Sequence, residues 1–110
     1  MVSATSTEQI KQDFNNFIRK YRAGNCYIGI TSDIDRRFKE HNLIDDNYHS
    51  KDSRIDWLWR KAMSEHEARN IETFYKNEYR DIISGGTGGG NNPTYIYIYI
   101  TVPGVTSEST

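Results

Sequence analysis

The sequence predicts an α+β (or α/β) domain: a small three-stranded, mainly antiparallel sheet flanked by three helices, in the order α-β-α-β-α-β. Three observations carry this. Apolar residues recur at helical spacing in three separate segments. Short β-branched and aromatic runs alternate with those segments. Polar or glycine-rich stretches separate them, and nothing repeats, so the 110 residues make one domain with one modest core.

Residues 1–6 read as a disordered lead-in. Thr5 with Glu8, and Ser6 with Gln9, have capping-box spacing. Ile10, Phe14, Phe17, Ile18 and Tyr21 then form one stripe of a helix over 7–21, with Gly24 as its stop. "CYIGI" (26–30) is the first strand. A second helix over 33–41 follows, with Ser32 as its cap and Asp33 and Asp35 at the positive end of its dipole. Ile34, Phe38 and His41 share a stripe, and Asn42 ends the helix. After a polar loop, "RIDWLWR" (54–60) puts Ile55, Trp57 and Trp59 on one face of a second strand. Ser64 and Glu67 start a third helix over 65–80, carrying Ala68, Ile71, Phe74, Tyr75, Tyr79 and Ile82 at helical spacing. "SGGTGGGNNP" (84–93) is a loop. "TYIYIYIT" (94–101) is the third strand, isoleucines on one side and tyrosines on the other. The domain is expected over 7–102, with a flexible tail at 103–110.

Charged residues are 26% and hydrophobic ones 35%, a balance that suits a soluble globular chain. No apolar run is long enough to span a membrane, so no membrane partner is expected. No stretch near the start pairs basic residues with an apolar core, so a cytoplasmic location is expected. Cys26 is the only cysteine, which excludes an internal disulfide and zinc sites built on paired cysteines. Net charge is −1, so any contact with nucleic acid must run through a local basic patch.

Three places could hold chemistry. Tyr27 lies on a strand, and Arg37 and His41, four apart, share a face of the helix after it. A phenol, a guanidinium and an imidazole together suit an anionic phosphate. The plainer reading makes Arg36, Arg37 and Lys39 a solvated face and Tyr27 half-buried core. Glu72 borders an apolar stripe and is a candidate metal ligand. On spacing alone the exposed partner of Lys76 is the favoured reading. The glycine-rich loop lacks a following Lys-Ser/Thr, so it is no nucleotide P-loop. It is a connector, or it positions Asn91 or Asn92 at a site. His41, His49 and His66 lie on separate elements and make no metal cluster.

"CYIGITSDIDRRFKEH" together with "EARNIE" resembles the GIY-YIG nuclease family. "YIG" stands at 27–29, Arg37 ten residues after Tyr27, His41 four further on, and Glu72 on a later helix. The likeness covers about residues 26–100. It implies one-metal hydrolysis of a phosphodiester, with Mg²⁺ or Mn²⁺ on Glu72. By that resemblance Tyr27, or a tyrosine beside it, would help activate water, and Arg37 would stabilise charge on the phosphate. His41 would assist proton transfer or position the phosphate. Gly29, Arg36, Asn91, Asn92, Tyr97 and Tyr99 would line the substrate site, and the expected partner is nucleic acid, DNA ahead of RNA.

One departure from the family stands out. The family's first strand bears Gly-Ile-Tyr about ten residues before Tyr-Ile-Gly. Here that place holds the end of an amphipathic helix, with Phe17 nearest. The chain is thus a variant lacking the N-terminal strand, and "YIYIYI" is the segment that could replace it. Two other readings stand beside the nuclease. One is a binding module that kept the fold and lost turnover, holding a nucleotide, a nucleic acid or a protein. The other is a homo-oligomer formed through strand edges or the N-terminal helix.

Overall fold

The computed structural model describes residues 3–85 and 92–108. Helix α1 (Thr7–Tyr21) starts where Ser6 accepts the Gln9 N–H at 3.2 Å. Thr5 is not the cap; its own N–H donates to the Lys61 carbonyl at 2.7 Å, tying the lead-in to the sheet. Ile10, Phe14, Phe17 and Ile18 are the buried face of α1. The chain leaves the helix through Arg22, at φ 72°, and the 3₁₀ turn Ala23–Asn25. Strand β1 (Cys26–Thr31) is buried at every position.

Helix α2 (Ile34–Glu40) is capped by Asp33, not Ser32: the Asp33 carboxylate accepts the Arg36 N–H at 3.1 Å. Asn42 ends the helical stretch in the left-handed region, at φ 63°, a conformation asparagine tolerates better than most residues. Strand β2 (Trp57–Lys61) begins later than the alternation suggests. Asp52 accepts the Arg54 N–H at 2.8 Å, and Asp56 accepts the Trp57 N–H at 2.9 Å. Such local side-chain bonds compete with a ladder and hold 52–56 as turns. Helix α3 (Glu65–Glu78) is capped by Ser64, which accepts the Glu67 N–H at 3.1 Å. Among its stripe residues, Ala68, Ile71 and Tyr75 are buried, while Phe74 is exposed under the Lys11 ammonium. Strands β3 (Ile83–Ser84) and β4 (Tyr95–Ile100) complete the set.

The sheet therefore has four strands, not three, in the order β2-β4-β1-β3. β3 is two residues long, too short to leave any period in the sequence, and it pairs parallel to β1. β4 is antiparallel to both neighbours. It lies in the interior of the sheet although it comes last in sequence.

Both faces of β4 are covered. Ile96 and Ile98 join Cys26, Ile28 and Ile30 in a core closed by α1 and α3. Tyr97 and Tyr99 join Tyr27, Phe38, Leu43, Ile44, Ile55 and Val102 in a second core on the other face. Each fully buried side chain of this size stabilises the fold by about 1.5–3 kcal/mol.

Residues 103–108, expected as a flexible tail, turn back instead. The Val105 and Thr106 N–H groups donate to the Val102 carbonyl at 2.9 and 3.0 Å. The Thr106 hydroxyl accepts the Val102 N–H at 2.9 Å. Gly104 supplies the positive φ, 81°, that this turn needs. None of the described helices is long and apolar enough to cross a membrane.

Candidate active site

Register brings the tyrosines together. Tyr27 of β1 lies opposite Tyr99 of β4, and Gly29 opposite Tyr97. In an antiparallel pair directly opposite residues share a face, so Tyr27, Tyr97 and Tyr99 point the same way. The Tyr27 ring stacks at 5.2 Å from Tyr99 and 6.2 Å from Tyr97. Gly29 makes room for this. A Cβ there would meet the Tyr97 hydroxyl oxygen at 2.5 Å and its ring Cζ at 2.7 Å.

Helix α2 lies over this face and delivers Arg37 and His41. His41 is fully buried. Its Nε2 is 2.7 Å from the Tyr97 hydroxyl and 3.1 Å from Arg37 Nη2. Its Nδ1 is 2.7 Å from the Ser107 carbonyl and 3.0 Å from the Tyr99 hydroxyl. A carbonyl only accepts, so Nδ1 carries the proton. Nε2 is then the acceptor, taking the Tyr97 O–H and an Arg37 N–H. Burial lowers the His41 pKa, the Ser107 carbonyl opposes that, and the net shift favours the neutral ring.

Arg37 reaches into the cluster with part of its surface open; its side chain is 16% exposed. Nη1 pairs with Glu40 Oε1 at 2.7 Å, and the guanidinium lies within electrostatic reach of the Tyr97 and Tyr27 phenols. Burial works against its charge, but Glu40 and Tyr97 hold its pKa above the usual arginine value. Burial likewise pushes the Tyr27 and Tyr97 phenols up, while Arg37 pulls them back. Both stay protonated at neutral pH. Tyr99 is raised further by burial and by Glu108, whose carboxylate accepts its O–H at 2.9 Å.

Glu72 sits on the buried side of α3, only 7% exposed. It makes no hydrogen bond or ion pair among the described residues, and the pairing with Lys76 is no contact ion pair. Burial raises its pKa above the ordinary glutamate value, while Lys76 and Arg69 pull it down. Its charge acts on both Tyr27 and Tyr97, so the carboxylate lies within electrostatic reach of the phenols.

Not every expected residue joins this cluster. Arg36 is exposed and reaches Glu40 at 3.9 Å. Asn92 is exposed at φ 53°, and Asn91 lies outside the described residues. Tyr95 packs against Trp59 at 5.7 Å, with the Lys61 ammonium near its ring. Four participants were not foreseen. Glu40 is three residues from Arg37, a spacing that signals a helix pair. Asn42, Ser107 and Glu108 meet the site only through the folded-back tail, which no local pattern announces.

The profile of the GIY-YIG catalytic domain matches residues 15–85. No curated protein and no solved structure matches the chain. The matched span opens inside α1 and closes just after β3, so β4 lies outside it.

The Gly29–Tyr97 contact makes a direct prediction. Overpacking a filled core costs about 1–3 kcal/mol, and Gly29→Ala is expected to lose that much in urea unfolding. In a Tyr97→Leu background, where the ring is gone, the same substitution is expected to cost clearly less. Equal costs in both backgrounds would mean that Gly29 is not there to admit Tyr97.

Proposed function

The chain belongs to the GIY-YIG family, and from that premise we propose that it is a metal-dependent endonuclease hydrolysing a phosphodiester of nucleic acid, DNA ahead of RNA. The nuclease type of activity follows from the family; the metal dependence, the substrate and the residue roles are our reading. One observation carries it: Tyr97, from the far end of the sequence, stacks on Tyr27 and hydrogen-bonds His41, which Arg37 also bonds. This supports the reading: Tyr27 and His41, two residues the resemblance names, meet a tyrosine of β4 although the family's usual first strand is missing.

The residues fit a single divalent cation. Glu72, 7% exposed as a residue, offers a carboxylate with no hydrogen bond or ion pair among the described residues. The described residues contain no group of three or more His, Cys, Asp or Glu able to hold a metal. Glu72 would thus be the protein's one ligand, with water and phosphate oxygens filling the other positions. When bound, Mg²⁺ or Mn²⁺ supplies charge neutralisation at the phosphate and a more acidic water.

The chain's own groups do the rest. Arg37, partly open to solvent, faces the phosphate and stabilises the charge that builds on it. Tyr27 donates its O–H towards the same oxygens. Tyr97 and His41 form the proton acceptor. As the Tyr97 oxygen takes a proton from the attacking water, its own hydroxyl proton passes to His41 Nε2, 2.7 Å away. Gly29 acts by admitting the Tyr97 ring, Arg36 by its exposed charge on the approach.

The test is cleavage of single- and double-stranded DNA and RNA with Mg²⁺ or Mn²⁺. Glu72→Ala and Arg37→Ala are each expected to lose roughly 10²–10³ in rate. The acid limb follows from the same carboxylate. Protonation displaces the cation, and the Glu72 pKa lies above the usual value, so activity falls at a higher pH than an ordinary glutamate would give. Activity that Glu72→Ala leaves intact would overturn the mechanism. Nucleic-acid binding without turnover by the wild type would assign a binding module instead.

A further inference from the structure

The turn after β4 is tied to the site by hydrogen bonds from several groups, among them the Tyr99 O–H, which lies 3.3 Å from the Ser107 carbonyl. The Ser107 N–H donates to the His41 carbonyl at 2.7 Å. His41 Nδ1–H donates to the Ser107 carbonyl at 2.7 Å. Asn42 Nδ2 donates to the Val105 carbonyl at 2.6 Å. The Tyr99 O–H donates to the Glu108 carboxylate at 2.9 Å.

We propose that residues 105–108 are a strap that fixes the tautomer of His41 and thereby the direction of its hydrogen bond with Tyr97. The catalytic consequence rests on the function proposed above; the strap itself does not. Neutral imidazole carries its proton on one nitrogen only, and the second bond each nitrogen makes decides which. The Ser107 carbonyl demands a proton on Nδ1. Glu108 acts to the same end through Tyr99. By taking the Tyr99 proton, it leaves the Tyr99 oxygen as an acceptor facing Nδ1 at 3.0 Å. On the other side of the ring, Arg37 offers N–H at 3.1 Å, which favours a lone pair on Nε2 without fixing it alone.

Removing the strap releases both constraints on Nδ1. Tyr99, freed from Glu108, can turn its O–H onto Nδ1, which then becomes the acceptor. The ring proton moves to Nε2 and points at Tyr97. The Tyr97 oxygen would then receive a hydrogen bond, and its own proton would have no acceptor. Val105–Glu108 are thus positioning residues, acting through His41 and Tyr99.

The tautomer can be read directly from two-bond proton–nitrogen correlations of ¹⁵N-histidine-labelled protein. Wild type is expected to give the His41 pattern of protonated Nδ1 and unprotonated Nε2. Three variants are compared with it: truncation after Gly104, Glu108→Ala, and Glu108→Gln, which keeps an acceptor for Tyr99. The truncation, which removes both the Ser107 carbonyl and Glu108, is expected to show the opposite tautomer or a mixture; Glu108→Ala, which keeps the Ser107 carbonyl, is expected to show a mixture, and Glu108→Gln to return the wild-type pattern. Glu108→Ala carries the test if the truncation does not fold. In cleavage assays the same two variants are expected to lose about 10²-fold in kcat with KM unchanged, the scale of a general acid–base contribution. An unchanged Nδ1–H pattern in the truncation or in Glu108→Ala would overturn the strap. The spectrum needs no turnover, so an inactive wild type would count against the nuclease reading alone.

Discussion

The pairing of β4 with β1, in the register that sets Tyr97 opposite Gly29, is the constraint on which the rest depends. It places the last strand inside the sheet, where both faces are buried. It puts Ile96 and Ile98 under α1 and α3 and Tyr97 and Tyr99 under α2. A slip of one residue would exchange the two sets, driving three tyrosines into an aliphatic core and the isoleucines against Arg37 and His41. The glycine holds the register from the opposite strand, because a side chain there would collide with the Tyr97 ring.

The site that results is mostly buried polar chemistry. Tyr27, Tyr97, Tyr99 and His41 are each almost wholly out of solvent. Groups of that kind are tolerable only when their hydrogen bonds are made, and no fully buried side-chain nitrogen or oxygen among the described residues lacks a partner. Each bond also fixes where a proton sits. Carbonyl, carboxylate and guanidinium partners around His41 leave one consistent assignment, and Tyr97 donates inward under it. Arg37 keeps part of its surface open, and Glu72 makes no hydrogen bond or ion pair among the described residues, which is what the proposed reading asks of the groups it assigns to phosphate and cation.

Local patterns gave most of the elements and stopped where contacts became non-local. The apolar stripe of α1 and the Ser6 and Ser64 caps were visible because their partners lie three or four residues away. The motif carrying Tyr27, Arg37, His41 and Glu72 was visible as spacing. The Ile-Tyr alternation of β4 announced two faces but not the identity of its neighbours. β3 was hidden by its length, and the start of β2 by two aspartates that prefer turn bonds. Residues 103–108 read as loose because their composition is polar; their order comes from backbone groups meeting His41 and Asn42, more than sixty positions earlier. Spacing favoured Glu72 as an exposed partner of Lys76, since helical spacing alone could not tell the edge of a stripe from its exposed flank.

The central claim is that a strand from the end of the sequence supplies the phenol of the site. Tyr97→Phe tests it most directly, because it removes one oxygen and leaves the ring that packs on Gly29. With Mg²⁺ or Mn²⁺ and a substrate that wild type cleaves, the account predicts a fall of about 10²-fold or more in kcat, with the protein still folded. Tyr95→Phe, two positions along the same face, is the control and should cleave normally. A Tyr97→Phe protein that cleaves as fast as wild type would contradict the account.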